Sequence, residues 1–163
     1  HGVFRLHCDE KGSYTVSCYS ATNGKLNSVY ADCLYTDAKG RIWVGTGGSG
    51  LNLYDEATDT FLPVHAKWNL PGDAVVSIRS DKEGDLWLGT NAGLIKLALS
   101  DNLESATFRL YTTVDGLQDN IFIRSAQAVA ADGEMFFGGH RGYNSFYPEN
   151  IYFRPIACLN LVC

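Results

Sequence analysis

An all-β fold built from repeated four-stranded antiparallel units is what this sequence predicts, and three features lead to it. The first is self-similarity. "DAKGRIWVGTGGSGLNLYD" from Asp37 returns as "DKEGDLWLGTNAGLIKL" from Asp81 and as "AADGEMFFGGHRGYNSFYP" from Ala130. Gly40, Gly84 and Gly133 align, as do Trp43, Trp87 and Phe136, and then Gly45, Gly89 and Gly138, at intervals of 44 and 49 residues; Gly50, Gly93 and Gly142 follow in register but for one residue. The second is composition: 3 Trp, 9 Tyr and 8 Phe set among 17 Gly suit strands separated by tight turns. The third is a negative: no stretch sustains a helical period with caps at both ends. Four strands every ~40–50 residues is the pattern of a β-propeller blade. One such sheet cannot bury both its faces, and stacking sheets around an axis buries them. The prediction is a partial propeller of about three and a half blades, the half being a truncated copy of the repeat at the start of the chain.

Taken in order, "GVFRL" from Gly2 matches "GLNLY" from Gly50 and "GLIKL" from Gly93, so residues 1–24 read as the outer strands of a truncated blade. Residues 25–68 form the next blade and 69–114 the one after. In the latter, "AVVSIRSD", "DLWLGT", "GLIKLAL" and "SATFRLYTT" are the strands, divided by the turns "DKEG", "NAG" and "SDNLE". Leu86 and Leu88 share one face and Trp87 the other; Phe108, Leu110 and Tyr111 are expected to pack. Residues 115–152 make the last blade, and 153–163 are a tail, read as the possible start of a following domain. Trp43, Trp87 and Phe136, one per blade at a fixed position, are expected to fill the seams between neighbouring sheets. Asp37 and Asp81 open Asp-x-x-Gly turns; their repetition argues for Asx turns that close hairpins. The turn resembles the Asp box of sialidase propellers, but a sialidase would also need arginines gathered around a carboxylate and an activated tyrosine.

Several functions are excluded. A net charge of -5 with no local Lys/Arg cluster gives no case for nucleic acid. No apolar run reaches membrane-spanning length, so direct insertion by this chain is not expected. "HGVFRLHCDE" has no basic start or apolar stretch of a leader. Gly45 to Gly50 fit G-x-G-x-x-G, yet "LNLYD" follows where a dinucleotide site needs a helix, so no cofactor is expected. The four histidines lie far apart and the five cysteines lack metal spacing, so no metal is expected. Free thiols are the preferred reading of the cysteines, with a Cys8–Cys18 disulfide as the alternative. No nucleophile with its base stands out, and the chain is not read as an enzyme.

With these residues in hand, "GRIWVGT..GLNLYD" and "GDLWLGT..GL" resemble the two-component regulator propeller repeat, and "FGG..G.N.F.P..I" resembles the closing repeat of such propellers, from Gly2 to about Ile151. The resemblance implies a periplasmic sensor region of a hybrid two-component histidine kinase of Bacteroidetes, detecting glycan-derived oligosaccharides to regulate polysaccharide utilisation. It implies that this chain is a C-terminal part of such a propeller, whose open faces meet the remaining blades or another copy of the chain. Two other classes stand beside it: a propeller enzyme acting on glycans, and a protein-interaction scaffold.

Candidate ligand-binding residues come from the loops. His140 and Arg141 interrupt a position that is "GGS" or "NA" in the other blades, and Arg forks onto carboxylate or sulfate. The turns entering each first strand should cluster at one end of the stack. There Trp68 is expected to stack on a sugar, and Asp119, Asn120 and Arg124 to bond hydroxyls.

Overall fold

The computed structural model describes residues 1–151; the tail unit, with Cys158 and Cys163, lies outside the described residues. Four antiparallel sheets follow one another along the chain. The first pairs β1 (Val3–Cys8) with β2 (Tyr14–Tyr19). The second runs β3 (Ala31–Thr36), β4 (Ile42–Thr46), β5 (Gly50–Asp55) and β6 (Thr60–Pro63). The third runs β7 (Val75–Ser80), β8 (Leu86–Thr90), β9 (Leu94–Leu99) and β10 (Ala106–Tyr111). The fourth holds β11 (Phe122–Val129), β12 (Met135–Gly139) and β13 (Gly142–Phe146). Each strand pairs with its neighbour in sequence, so every sheet is a meander. The first strands β3, β7 and β11 lie against one another and form the axis of an arc of propeller blades.

The third sheet shows why the repeats read "LWL" and not apolar–polar. Leu86 and Leu88 turn towards the second sheet and join Trp43, Leu51 and Ile78. Trp87, between them, turns the other way onto Phe122, Met135 and Phe137 of the fourth sheet. A strand buried on both faces has no polar side to show. Each leucine so buried contributes roughly 1.5–3 kcal/mol. Trp43 and Trp87 thus fill the seams, each towards the blade that follows. Close packing also explains a glycine in these two repeats: a Cβ on Gly45 would run into the Val75 carbonyl across the seam and the Cys33 sulfur, and one on Gly89 into the Ser77 hydroxyl of its own sheet and, across the seam, Phe122 Cβ at 3.2 Å. Gly40 and Gly84 serve differently, holding φ of 77° and 88° in their turns.

The Asp-x-x-Gly turn and the tryptophan are one device. Asp37 Oδ1 accepts the backbone N–H groups of Lys39 and Arg41, both at 3.0 Å, and its Oδ2 accepts Trp43 Nε1–H at 2.8 Å and Arg41 Nε–H at 2.6 Å. Burial pushes the Asp37 carboxyl up, but the bonds from Trp43 and Arg41 outweigh it and hold it below the usual carboxylate range. Asp81 repeats the arrangement, with Asp85 N–H at 2.9 Å and Trp87 Nε1–H at 2.9 Å. A cation lies over each indole, Arg41 on Trp43 and Lys96 on Trp87. In the fourth sheet the aspartate is Ala130 and the tryptophan Phe136, so acceptor and donor are absent together.

The structure adds to or corrects the expectations in several places. A one-turn helix, α1 (Val64–Lys67), precedes Trp68. Among the described residues the fourth sheet has three strands. Phe108 is 41% exposed, whereas Tyr111 stacks on Trp87 at 5.7 Å and Leu110 packs on the core. Phe136 is half-buried beside Tyr143, 6.1 Å between rings, on the face turned away from the third sheet, so it fills no seam among the described residues. Cys8 lies opposite Tyr14 and Cys18 opposite Phe4, so no bridge joins them, and the described cysteines are free.

The hairpin β1–β2 is fastened to the second sheet by a polar knot. Tyr19 and Tyr54 hydroxyls donate to Asp59 Oδ1 at 2.7 and 2.9 Å, and Lys25 pairs with Asp59 Oδ2. Asp59 sits at φ 52°, which aims its carboxylate back across the turn. The hairpin's other face, Phe4, Leu6, Tyr14 and Val16, is exposed.

Candidate ligand-binding face

A meander places alternate connections at opposite ends of each sheet. The Asp-x-x-Gly turns share one end. The connections β2–β3, β4–β5, β6–β7, β8–β9, β10–β11 and β12–β13 share the other, and every sequence-predicted ligand residue belongs to it or to the strand it enters.

These loops are tied to one another. Asp73 accepts Gly48 and Gly50 N–H at its carbonyl, at 3.1 and 2.8 Å, and accepts Asn91 Nδ2–H at its carboxylate, at 2.7 Å. Leu51 N–H donates to His65 Nδ1 at 3.4 Å, so the ring proton sits on Nε2, which donates to the Gly72 carbonyl at 2.9 Å. A bonded loop surface is a rigid platform, which lowers the entropic cost of holding a ligand.

On this platform the predicted residues divide. Trp68 is 7% exposed and packs on Trp43 with 6.2 Å between rings. The helical turn α1 carries it inward, so its ring is not presented for sugar stacking. Asp119 and Asn120 are half-buried: Asn120 Oδ1 accepts Thr113 N–H at 2.9 Å, and Asp119 Oδ2 lies 3.7 Å from Arg141 Nε. Gln118 Oε1 accepts Arg141 N–H at 2.8 Å, joining the β10–β11 and β12–β13 connections. His140 and Arg141 are exposed at the tip. Arg124, on the axis, pairs through Nε with Asp32 Oδ1 at 3.0 Å, a strand two sheets away.

Sequence reasoning missed Asp32. A signal was present: it stands where β7 has Val76, a charge in an otherwise apolar inner strand. It also missed a groove of about 640 Å³ between the hairpin and β3–β4, lined by Phe4, Arg5, Leu34, Tyr35, Arg41 and Tyr54 among others. Among the described residues no group of His, Cys, Asp and Glu could hold a metal ion, and no helix is long and apolar enough to cross a membrane.

Comparison with known proteins follows the repeats. The two-component regulator propeller family matches residues 23–48 and 69–92. Histidine kinase P4 of Formosa agariphila is 32% identical over 107 residues, which is 65% of this chain and 7% of that protein. Among solved structures, the extracellular domain of BT4673 from B. thetaiotaomicron, described as a hybrid two component system, superposes with a TM-score of 0.66 at 18% identity, over 94% of this chain and 25% of that one. The corresponding domain of BT3049 from the same organism gives 0.54 at 16% identity, over 91% and 28%. The chain therefore spans a small part of the curated relative and about a quarter of each solved chain.

Proposed function

Because the chain carries two-component regulator propeller repeats, we propose that it forms part of the extracytoplasmic sensing region of a hybrid two-component sensor, and that its loop end takes an oligosaccharide released from a glycan. The observation that carries this reading is the gathering of Asp119, Asn120, Arg124, His140 and Arg141 at one end, on loops cross-bonded to each other. Planar and charged donors beside amide groups suit sugar hydroxyls and acidic substituents. Signalling is then a population shift. A ligand that prefers one arrangement of the sensor biases it towards that arrangement by its differential affinity. The outer face of the β1–β2 hairpin is covered by further blades or by another copy of the chain.

The test is calorimetric titration of the purified chain with neutral and acidic oligosaccharides, with hydrogen exchange to place the contact. Expected is saturable binding that protects residues 112–124 and 139–142. Absence of binding by any sugar, or protection confined to the Asp-x-x-Gly turns, overturns the reading. Appearance of cleaved product would move the protein into the enzyme class.

A further inference from the structure

The three inner strands each carry a bulge at the level where they approach the axis, and the third bulge is different. In β3, Ala31 pairs with Thr46 and Cys33 with Gly45, so Asp32 is the extra residue. In β7, Val75 pairs with Thr90 and Ser77 with Gly89, so Val76 is the extra residue. In β11, Phe122 pairs with Gly139 and the next pair is Gln127 with Phe137, so residues 123–126 all stand opposite Gly138. Ser125 in this stretch adopts φ 55°, a left-handed conformation that serine rarely takes.

The enlarged bulge delivers one side chain. Arg124 crosses to Asp32, whose side chain is 3% exposed while that of Arg124 is 63% exposed. A Cβ on Gly47 would lie 2.8 Å from Asp32 Oδ2 and 3.7 Å from Arg124 Nη2, so this glycine leaves room for both groups. A buried carboxylate needs a counter-charge, and here it takes the Nε edge of the guanidinium. Most of the guanidinium side chain remains open to solvent beyond that bond. Ile123, its neighbour in β11, is 40% exposed, and Tyr30, just before β3, is 52% exposed.

We propose that Arg124, oriented by Asp32, is a donor site for an anionic substituent, a carboxylate or sulfate carried on the sugar, at the axial mouth of the loop end. This deepens the oligosaccharide reading and rests on it. A fixed guanidinium recognises such groups through two parallel N–H bonds, and its orientation is set before the ligand arrives.

The experiment titrates the chain with three disaccharide probes: one bearing a uronate carboxylate, one bearing a sulfate, and a neutral one. Expected is tighter binding of at least one acidic probe by about tenfold over the neutral probe, the scale of a charge-assisted bond. The preference should vanish in Arg124→Gln and be partly kept in Arg124→Lys, with thermal unfolding of both variants followed alongside. Whichever acidic probe is preferred identifies the substituent. Equal binding of acidic and neutral probes, or a preference that survives Arg124→Gln, overturns the anion site and leaves the oligosaccharide reading standing. Failure of all three probes overturns both. Loss of stability in Arg124→Gln with no loss of acidic preference would make the ion pair a brace between sheets and nothing more.

Discussion

Removing the Asp37 carboxylate should unsettle the second seam through one atom. Trp43 is fully buried and its Nε1–H has a single acceptor, Asp37 Oδ2. In Asp37→Ala that donor is orphaned, at roughly 1–3 kcal/mol. The turn also loses the acceptor of the Lys39 and Arg41 N–H groups, which solvent can partly replace, and Arg41 loses its partner. The total expected loss is about 3 kcal/mol, the upper range for such a change. The fourth sheet suggests the cure: with Phe136 in the tryptophan's place, Ala130 suffices. Trp43→Phe alone leaves Asp37 short of one donor and opens space in the seam, at about 1–3 kcal/mol. In Asp37→Ala/Trp43→Phe no indole donor is left to orphan, so the two losses should not add. A coupling of about 1–2 kcal/mol is expected from urea unfolding followed by far-UV circular dichroism on all four proteins. Additivity within about 0.5 kcal/mol would refute the pairing as the reason aspartate and tryptophan occur together.

Three further outcomes are expected. Asp59 is held well below the usual carboxylate range, first by Lys25 and then by Tyr19 and Tyr54, so its stabilisation is present above about pH 3.9 and is lost as pH falls towards its folded value; acid unfolding of Asp59→Asn should show a shallower slope, and an unchanged slope would remove the knot from the account. Hydrogen bonds with Tyr19 and Asp59 push the Tyr54 hydroxyl up to about 12, so its contribution to the knot is whole below the ordinary phenol value and is lost as pH rises towards about 12, which a spectrophotometric titration of the phenols would follow. Burial pushes the Cys33 thiol up to about 12, so a thiol reagent with peptide mapping should modify exposed Cys8 in the native chain and Cys33 only on unfolding; equal rates would contradict the packed seam.

How much was legible can be traced to particular residues. The repeat spacing yielded the sheets because glycine turns and seam tryptophans recur at fixed offsets, and Leu86–Trp87–Leu88 declared both buried faces by lacking alternation. Trp68 was misplaced because a loop position before a strand says nothing about direction. Four helical residues turn it inward, too few to leave a periodic signal. The ends of the arc were misread for a related reason. Phe136 matches Trp43 and Trp87 in the repeat, but a seam needs a facing sheet, and pattern alone does not supply one. The bulge in β11 was invisible because insertions inside a strand disturb register without changing composition. Asp32 was readable in principle as an exception to its repeat, whereas its pairing with Arg124 joins strands that no local pattern connects.

Apart from the inner strands, which meet at the axis, the sheets pack in series, and this makes the molecule close to a one-dimensional system. Among the described residues the β7–β10 sheet has a neighbour on each side, while β1–β2 and β11–β13 each pack on one. In such a lattice, opening an interior member breaks two interfaces and opening a terminal one breaks a single interface. Fluctuations therefore enter from the ends, and the hairpin, bound through Val3, Tyr19 and the Asp59 knot, is the first to leave. Arg124 adds to this series a charged bond between its first strands: it ties β11 to β3, which also touch directly at the axis, so making or breaking that bond is felt by the second and fourth sheets together.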